Sequence, residues 1–172
     1  MELTLSPTER AVRFGGMVLA HAAFIASDLA DGELICPFAI VTKDDRREVV
    51  PFESESQAES VENGKASLDG FKSQVDYWGF GREGLWSHPD EGDEKTDVLV
   101  VSAWTDGIDD PVILMQRFSP AAKGQFLLLG PVEIVIDEQV LPADKAKSLR
   151  ALVQDGIAMH PSEVPWSSWL VH

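Results

Sequence analysis

The stretch from Phe14 to Ala26 holds thirteen residues of which only His21 is strongly polar, and the rest of this 172-residue chain has to be built around it. It is shorter than the roughly 20 apolar residues that a bilayer-spanning helix requires. A secretory leader is a poor description too, because Glu2 and Glu9 accompany Arg10 and Arg13 where a basic run would stand. Ser6, Pro7 and Glu9 supply an N-cap serine, a proline at the first helical position and the acid of a capping box. A helix is therefore predicted from about Pro7 to Leu29. Phe14, Val18, His21 and Ile25 share one arc, flanked by Met17 and Phe24, while Val12, Leu19, Ala23 and Ala26 cover the opposite side. A helix apolar on both sides is a buried helix. Its Gly15-Gly16 pair admits a close approach by a sheet, another helix or a second subunit.

Beyond this helix the chain reads mostly as strand. Leu34 to Thr42, the charged turn Lys43 to Arg46, and Arg47 to Phe52 form a predicted hairpin, with Pro37 placing the first strand at an edge or a bulge. Glu55 to Leu68 is polar enough for a surface helix, capped by Ser54. Val75 to Phe80, Val98 to Trp104, Val112 to Phe118 and Gln125 to Ile136, the last broken at Gly130-Pro131, are strands separated by turn-rich loops. Successive strands without helical crossovers favour an antiparallel meander. A last helix spans Ala143 to Ala158. The expected class is α+β: an antiparallel sheet of about six strands with a buried N-terminal helix, a polar surface helix and a C-terminal helix. Residues 1–160 form one domain in this reading, and 161–172 an aromatic tail packed on the domain or on a partner.

Charge excludes more than it identifies. With 29 acids against 14 Lys and Arg the net charge is -15, so a phosphate backbone or an anionic membrane surface is repelled and a basic protein partner is the favoured macromolecule. The acids are unevenly placed: from Glu53 to Asp97 there are twelve against four bases, a net of -8. Cys36 is the only cysteine, which rules out an internal disulfide and suits a reducing, cytoplasmic setting.

Few residues carry chemistry. Between Leu34, Ile35 and Phe38, Cys36 reads as a core strand residue and not as a nucleophile. His21, His88, His160 and His172 lie in separate segments without ligand spacing, so no metal is expected. His21 interrupts an apolar arc and needs a hydrogen-bond partner or a shifted titration. The loop with Asp90, Glu91, Asp93 and Glu94 lacks the spacing of a calcium-binding hand, and Asp106, Asp109 and Asp110 are turn residues. Gly79, Gly81 and Gly84 follow a strand without opening a helix, so no nucleotide cofactor is expected. Five tryptophans remain. Trp78 and Trp104 read as core, and Trp86, Trp166 and Trp169 as candidate interface residues beside the acidic loop and in the tail.

The leading expectation is a non-enzymatic protein that binds a macromolecular partner through Trp86, Asp90, Glu91, Asp93, Glu94, Trp166 and Trp169, or that self-associates through the N-terminal helix or the tail. The alternative is a small enzyme or small-ligand binder with a pocket between the N-terminal helix and the sheet, using His21 as base, Cys36 as nucleophile and Asp76 as orienter.

Overall fold

The computed structural model describes residues 4–29, 33–53, 56–72, 74–87, 95–121, 124–162 and 164–171. The first element, α1 (Pro7–Ala26), starts where its cap dictates: the Glu9 N–H donates to Ser6 Oγ (3.1 Å) and the Ser6 N–H to Glu9 Oε1 (3.0 Å). It stops earlier than Leu29, because Ser27 closes it with a hydroxyl donated to the Phe24 carbonyl (2.8 Å). Twelve of its residues are buried, and the two glycines divide the work. A Cβ on Gly15 would meet Leu114 and Ala103 of the sheet, and one on Gly16 would strike the backbone of Val153 on α3 (Ala143–Ala158). Sheet and helix therefore both approach α1, so its two apolar sides are covered within one chain.

The hairpin β1 (Phe38–Lys43) and β2 (Arg46–Pro51) turns on Asp44 and Asp45, both at positive φ (50° and 64°), the left-handed pair that matches the twist of a two-residue hairpin. The first strand begins after Pro37 and not at Leu34. That removes the expected edge: β1 lies between β2 and β3, and Pro37 sits outside the ladder with its carbonyl accepting the Phe52 N–H (2.8 Å). The polar helix α2 (Gln57–Lys72) starts later than expected. Ser54, its expected cap, is outside the described residues, and Ser56 Oγ accepts the Glu59 N–H (3.2 Å).

The sheet then meanders through β3 (Tyr77–Ser87), β4 (Lys95–Thr105), β5 (Val112–Ser119), β6 (Leu127–Ile136) and the short β7 (Gln139–Val140). Its order is β2-β1-β3-β4-β5-β6-β7, antiparallel throughout, and β8 (Leu170–Val171), after the single turn α4 (Trp166–Trp169), adds to β6 in parallel. The two short strands are the difference from about six. Strand β3 runs past Phe80 because Gly81 leaves room for the Phe38 ring, whose Cζ lies 2.6 Å from where a Cβ would stand. The Gly130-Pro131 break in β6 is a bulge: Gly130 takes φ +75°, and the pairing with β5 shifts register between Met115 and Arg117.

Alternation sorts the side chains into two layers. One face carries Phe38, Ile40, Leu99, Val101, Leu114, Leu128 and Ile134 against α1 and α3. The other carries Ala39, Val41, Trp78, Phe80 and Trp104, with Val61 and Phe71 of α2 packed on them. Both tryptophans expected in the core are there, at 1% and 6% exposure.

Candidate functional site

The residues of the expected catalytic set have separate partners. Asp76 lies at the start of β3, where its carboxylate accepts the Asp44 N–H (2.9 Å) and its carbonyl accepts the Thr105 hydroxyl (2.8 Å). Cys36 precedes the opposite end of β1, and at about 3.3 Å per residue a six-residue strand sets the two roughly 20 Å apart. The cysteine is not a core residue, which corrects the reading from its neighbours. Ile35 is the buried one, its N–H donated to Glu83 Oε1 (2.6 Å) and its carbonyl accepting Gln57 Nε2 (3.0 Å), and in extended chain the next side chain turns outward. Cys36 is exposed. Its thiol is pushed up from its ordinary value by partial burial and the nearby Glu53 carboxylate. Native protein should therefore react fully with a disulfide reagent, one thiol per chain, but more slowly at neutral pH than a free cysteine, because less thiolate is present. Absorbance of the released thiol measures both, and labelling as fast as a free cysteine would contradict it.

His21 finds its partner across the helix pair: its Nδ1 lies 3.0 Å from Nε2 of His160. His160 Nδ1 lies 3.1 Å from both the nitrogen and the carbonyl oxygen of Ser162, so the tautomer of His160 decides which ring of the pair donates to the other. The rings of Phe38 and Phe24 flank the pair. Burial first, then His160, holds His21 below the ordinary imidazole value. A lowered histidine contributes stability that is complete above about 6.5 and is lost as pH falls through the folded value, since the unfolded chain takes up the proton more readily. Thermal midpoints should fall between about pH 7.5 and 5.5, and less so in His21→Gln; equal losses in both would assign the effect elsewhere.

Of the expected interface residues, Trp166 is buried at 5% exposure in the main core and Trp169 stands edge-on to Phe126 (4.9 Å). Trp86 is half-buried on the α2 side of β3, opposite Thr96. Asp90, Glu91, Asp93 and Glu94 lie outside the described residues. Among the described residues no group of three metal-ligating side chains converges, and no helix is long and apolar enough to cross a membrane.

What the structure does assemble is a cavity of about 430 Å³ between α1, the hairpin turn and the start of β3. Arg10, Arg13 and Phe14 line it from α1, Thr42, Asp45 and Arg47 from the hairpin, Tyr77 from β3, and Met159 from the end of α3. Phe14 and Tyr77 form one aromatic wall, centroids 5.1 Å apart. Three guanidiniums face one carboxylate in a chain of net charge -15. The capping box helps explain this: Glu9 stands one turn before Arg13, where it could pair with it, but its carboxylate accepts the Ser6 N–H. Arg10 donates Nη1 to the Leu5 carbonyl (2.9 Å). Thr42 Oγ1, on the face turned to α1, is buried without a hydrogen-bond partner among the described residues. Sequence reasoning passed over this set. Its only trace was Arg10 and Arg13 on neighbouring turns beside Phe14.

The geometry defines an α+β protein with an aromatic, cation-lined cavity between α1 and the hairpin; a second cavity of about 830 Å³ on the α2 side of the hairpin shares Arg47 and adds Lys43, Arg46 and Phe71. Comparison with family models, curated proteins and solved structures finds no match for the chain.

Proposed function

We propose that this chain is a non-catalytic binding protein for a small molecule, seated in the cavity between α1, the β1–β2 hairpin and β3. The observation that carries the reading is that cavity: a concave, partly aromatic space of about 430 Å³ with several convergent polar groups is the usual form of a ligand site. The separate partners of His21, Cys36 and Asp76 speak for binding without chemistry. Met159, 48% exposed and outside the core, lines the cavity from the end of α3, so Met159→Trp should narrow the space without disturbing the core, an unchanged unfolding midpoint being the check. In a thermal-shift screen of small-molecule fragments, compounds that raise the wild-type midpoint should lose most of that effect in Met159→Trp. A screen in which every stabilising compound acts equally on both would overturn the reading.

A second reading, binding of a macromolecular partner or self-association, is favoured by a different observation. The α2 side of β4, β5 and β6 carries half-buried Val100, Ile113, Met115, Leu129 and Val135, and α2 itself packs on β1 and β3. Trp86 extends the same face by strand alternation. Sedimentation over a wide concentration range tests the self-association form, and a constant monomer mass removes it.

A further inference from the structure

Resting on the small-molecule reading, we infer that the cavity between α1 and the hairpin takes an aromatic phosphate monoester, its phosphate among Arg10, Arg13 and Arg47 and its ring along Phe14 and Tyr77. Charge sets the class. Asp45 offsets one of the three guanidiniums, and the remaining two positive charges match a phosphate dianion better than a neutral ligand or a single carboxylate. The side chains of Arg13 and Arg47 make no hydrogen bond or ion pair with the described residues, and Arg10 keeps most of its donors after its bond to Leu5. In so acidic a chain, three arginines that line one concave space and carry a single carboxylate among them leave a local excess of positive charge.

The walls set the rest of the ligand. Phe14 is 8% exposed and tilted at 36° to Tyr77, a surface for one planar ring. Thr42, in register with Tyr77 across β1 and β3, lines the cavity and has its hydroxyl buried without a hydrogen-bond partner among the described residues. The surrounding field acts as a filter: the net charge of -15 repels anions from most of the surface, so binding is local, not a general attraction.

The test is a titration of the full chain, followed by backbone amide shifts, with three matched probes: phenyl phosphate, inorganic phosphate and benzyl alcohol. Phenyl phosphate should move the amides of Arg13, Phe14, Thr42, Arg47 and Tyr77 and bind at least about tenfold more tightly than either of the others, a factor that one charge-assisted hydrogen bond can supply. The double variant Arg13→Gln/Arg47→Gln, its fold checked by an unchanged thermal midpoint, should lose that advantage and keep whatever affinity it has for benzyl alcohol. Benzyl alcohol binding in the cavity as well as phenyl phosphate would overturn the phosphate assignment and leave the small-molecule reading standing. Inorganic phosphate binding equally would overturn the aromatic half. If no probe moves these amides, the aromatic-phosphate assignment falls, and the Met159→Trp comparison decides the small-molecule reading separately.

Discussion

Gly156→Ala should destabilise the chain by about 3 kcal/mol or more, at or beyond the upper end of what an overpacked site costs. The added Cβ would land on the Arg13 carbonyl oxygen and within 3.0 Å of the Met17 nitrogen, so what must yield is the backbone of α1 and not a side chain. Gly16, against the Val153 carbonyl, faces the same contact from the other helix and should behave alike. Gly15 is different in kind. Its nearest neighbour is the Leu114 Cδ1 methyl at 2.9 Å, which can shift, so Gly15→Ala should be milder than either. Gly70 of α2 has nothing within 4 Å of its missing Cβ, and Ala there should gain up to about 1 kcal/mol from helix propensity. Urea unfolding of the four variants gives the ranking, and a Gly156→Ala midpoint like that of wild type would show that α1 and α3 are not in backbone contact.

Trp166→Ala should be as damaging, by about 3 to 5 kcal/mol, the range for removing a large buried aromatic side chain. Trp166 is 5% exposed within the same cluster as Phe126, Leu128 and Val153, and the chain beyond it is tied into the sheet. Leu170 and Val171 pair with Leu128 and Leu129, and Trp169 closes over Phe126. Ending the chain at Ser162 removes all of these at once and uncovers the flank of β6, so the shortened chain should unfold at much lower denaturant and tend to aggregate. A truncated chain with the wild-type unfolding midpoint would mean that the tail is an accessory to the core.

How far the sequence reaches is clearest by comparing α1 with the cavity. Ser6, Pro7 and Glu9 act on neighbouring backbone, so the start of α1 was legible to the residue, as was α3 from Ala143 to Ala158. The hairpin and the meander came from strand propensity and from turns such as Asp44-Asp45, whose positive φ values are a local matter. Contacts distant in sequence were not legible. Two-residue strands such as β7 and β8 exist only because β6 is there to pair with, and Cys36 was misplaced because its burial depends on Glu83 and Gln57 clamping Ile35. His21 announced that it needed a partner, but nothing near it named His160. The arginine cavity draws on α1, the hairpin, β3 and the end of α3, and no local pattern joins Arg13 to Arg47.

The most direct measurement is a crystallographic fragment screen of the wild-type chain, with anionic and neutral aromatic compounds soaked in equal numbers. Density for the anionic members should appear between Arg13, Thr42 and Tyr77, with guanidinium nitrogens of Arg13 or Arg47 at hydrogen-bond distance from the ligand oxygens. Fragments that gather on the open face of β4, β5 and β6 while this cavity stays free of them would contradict the account.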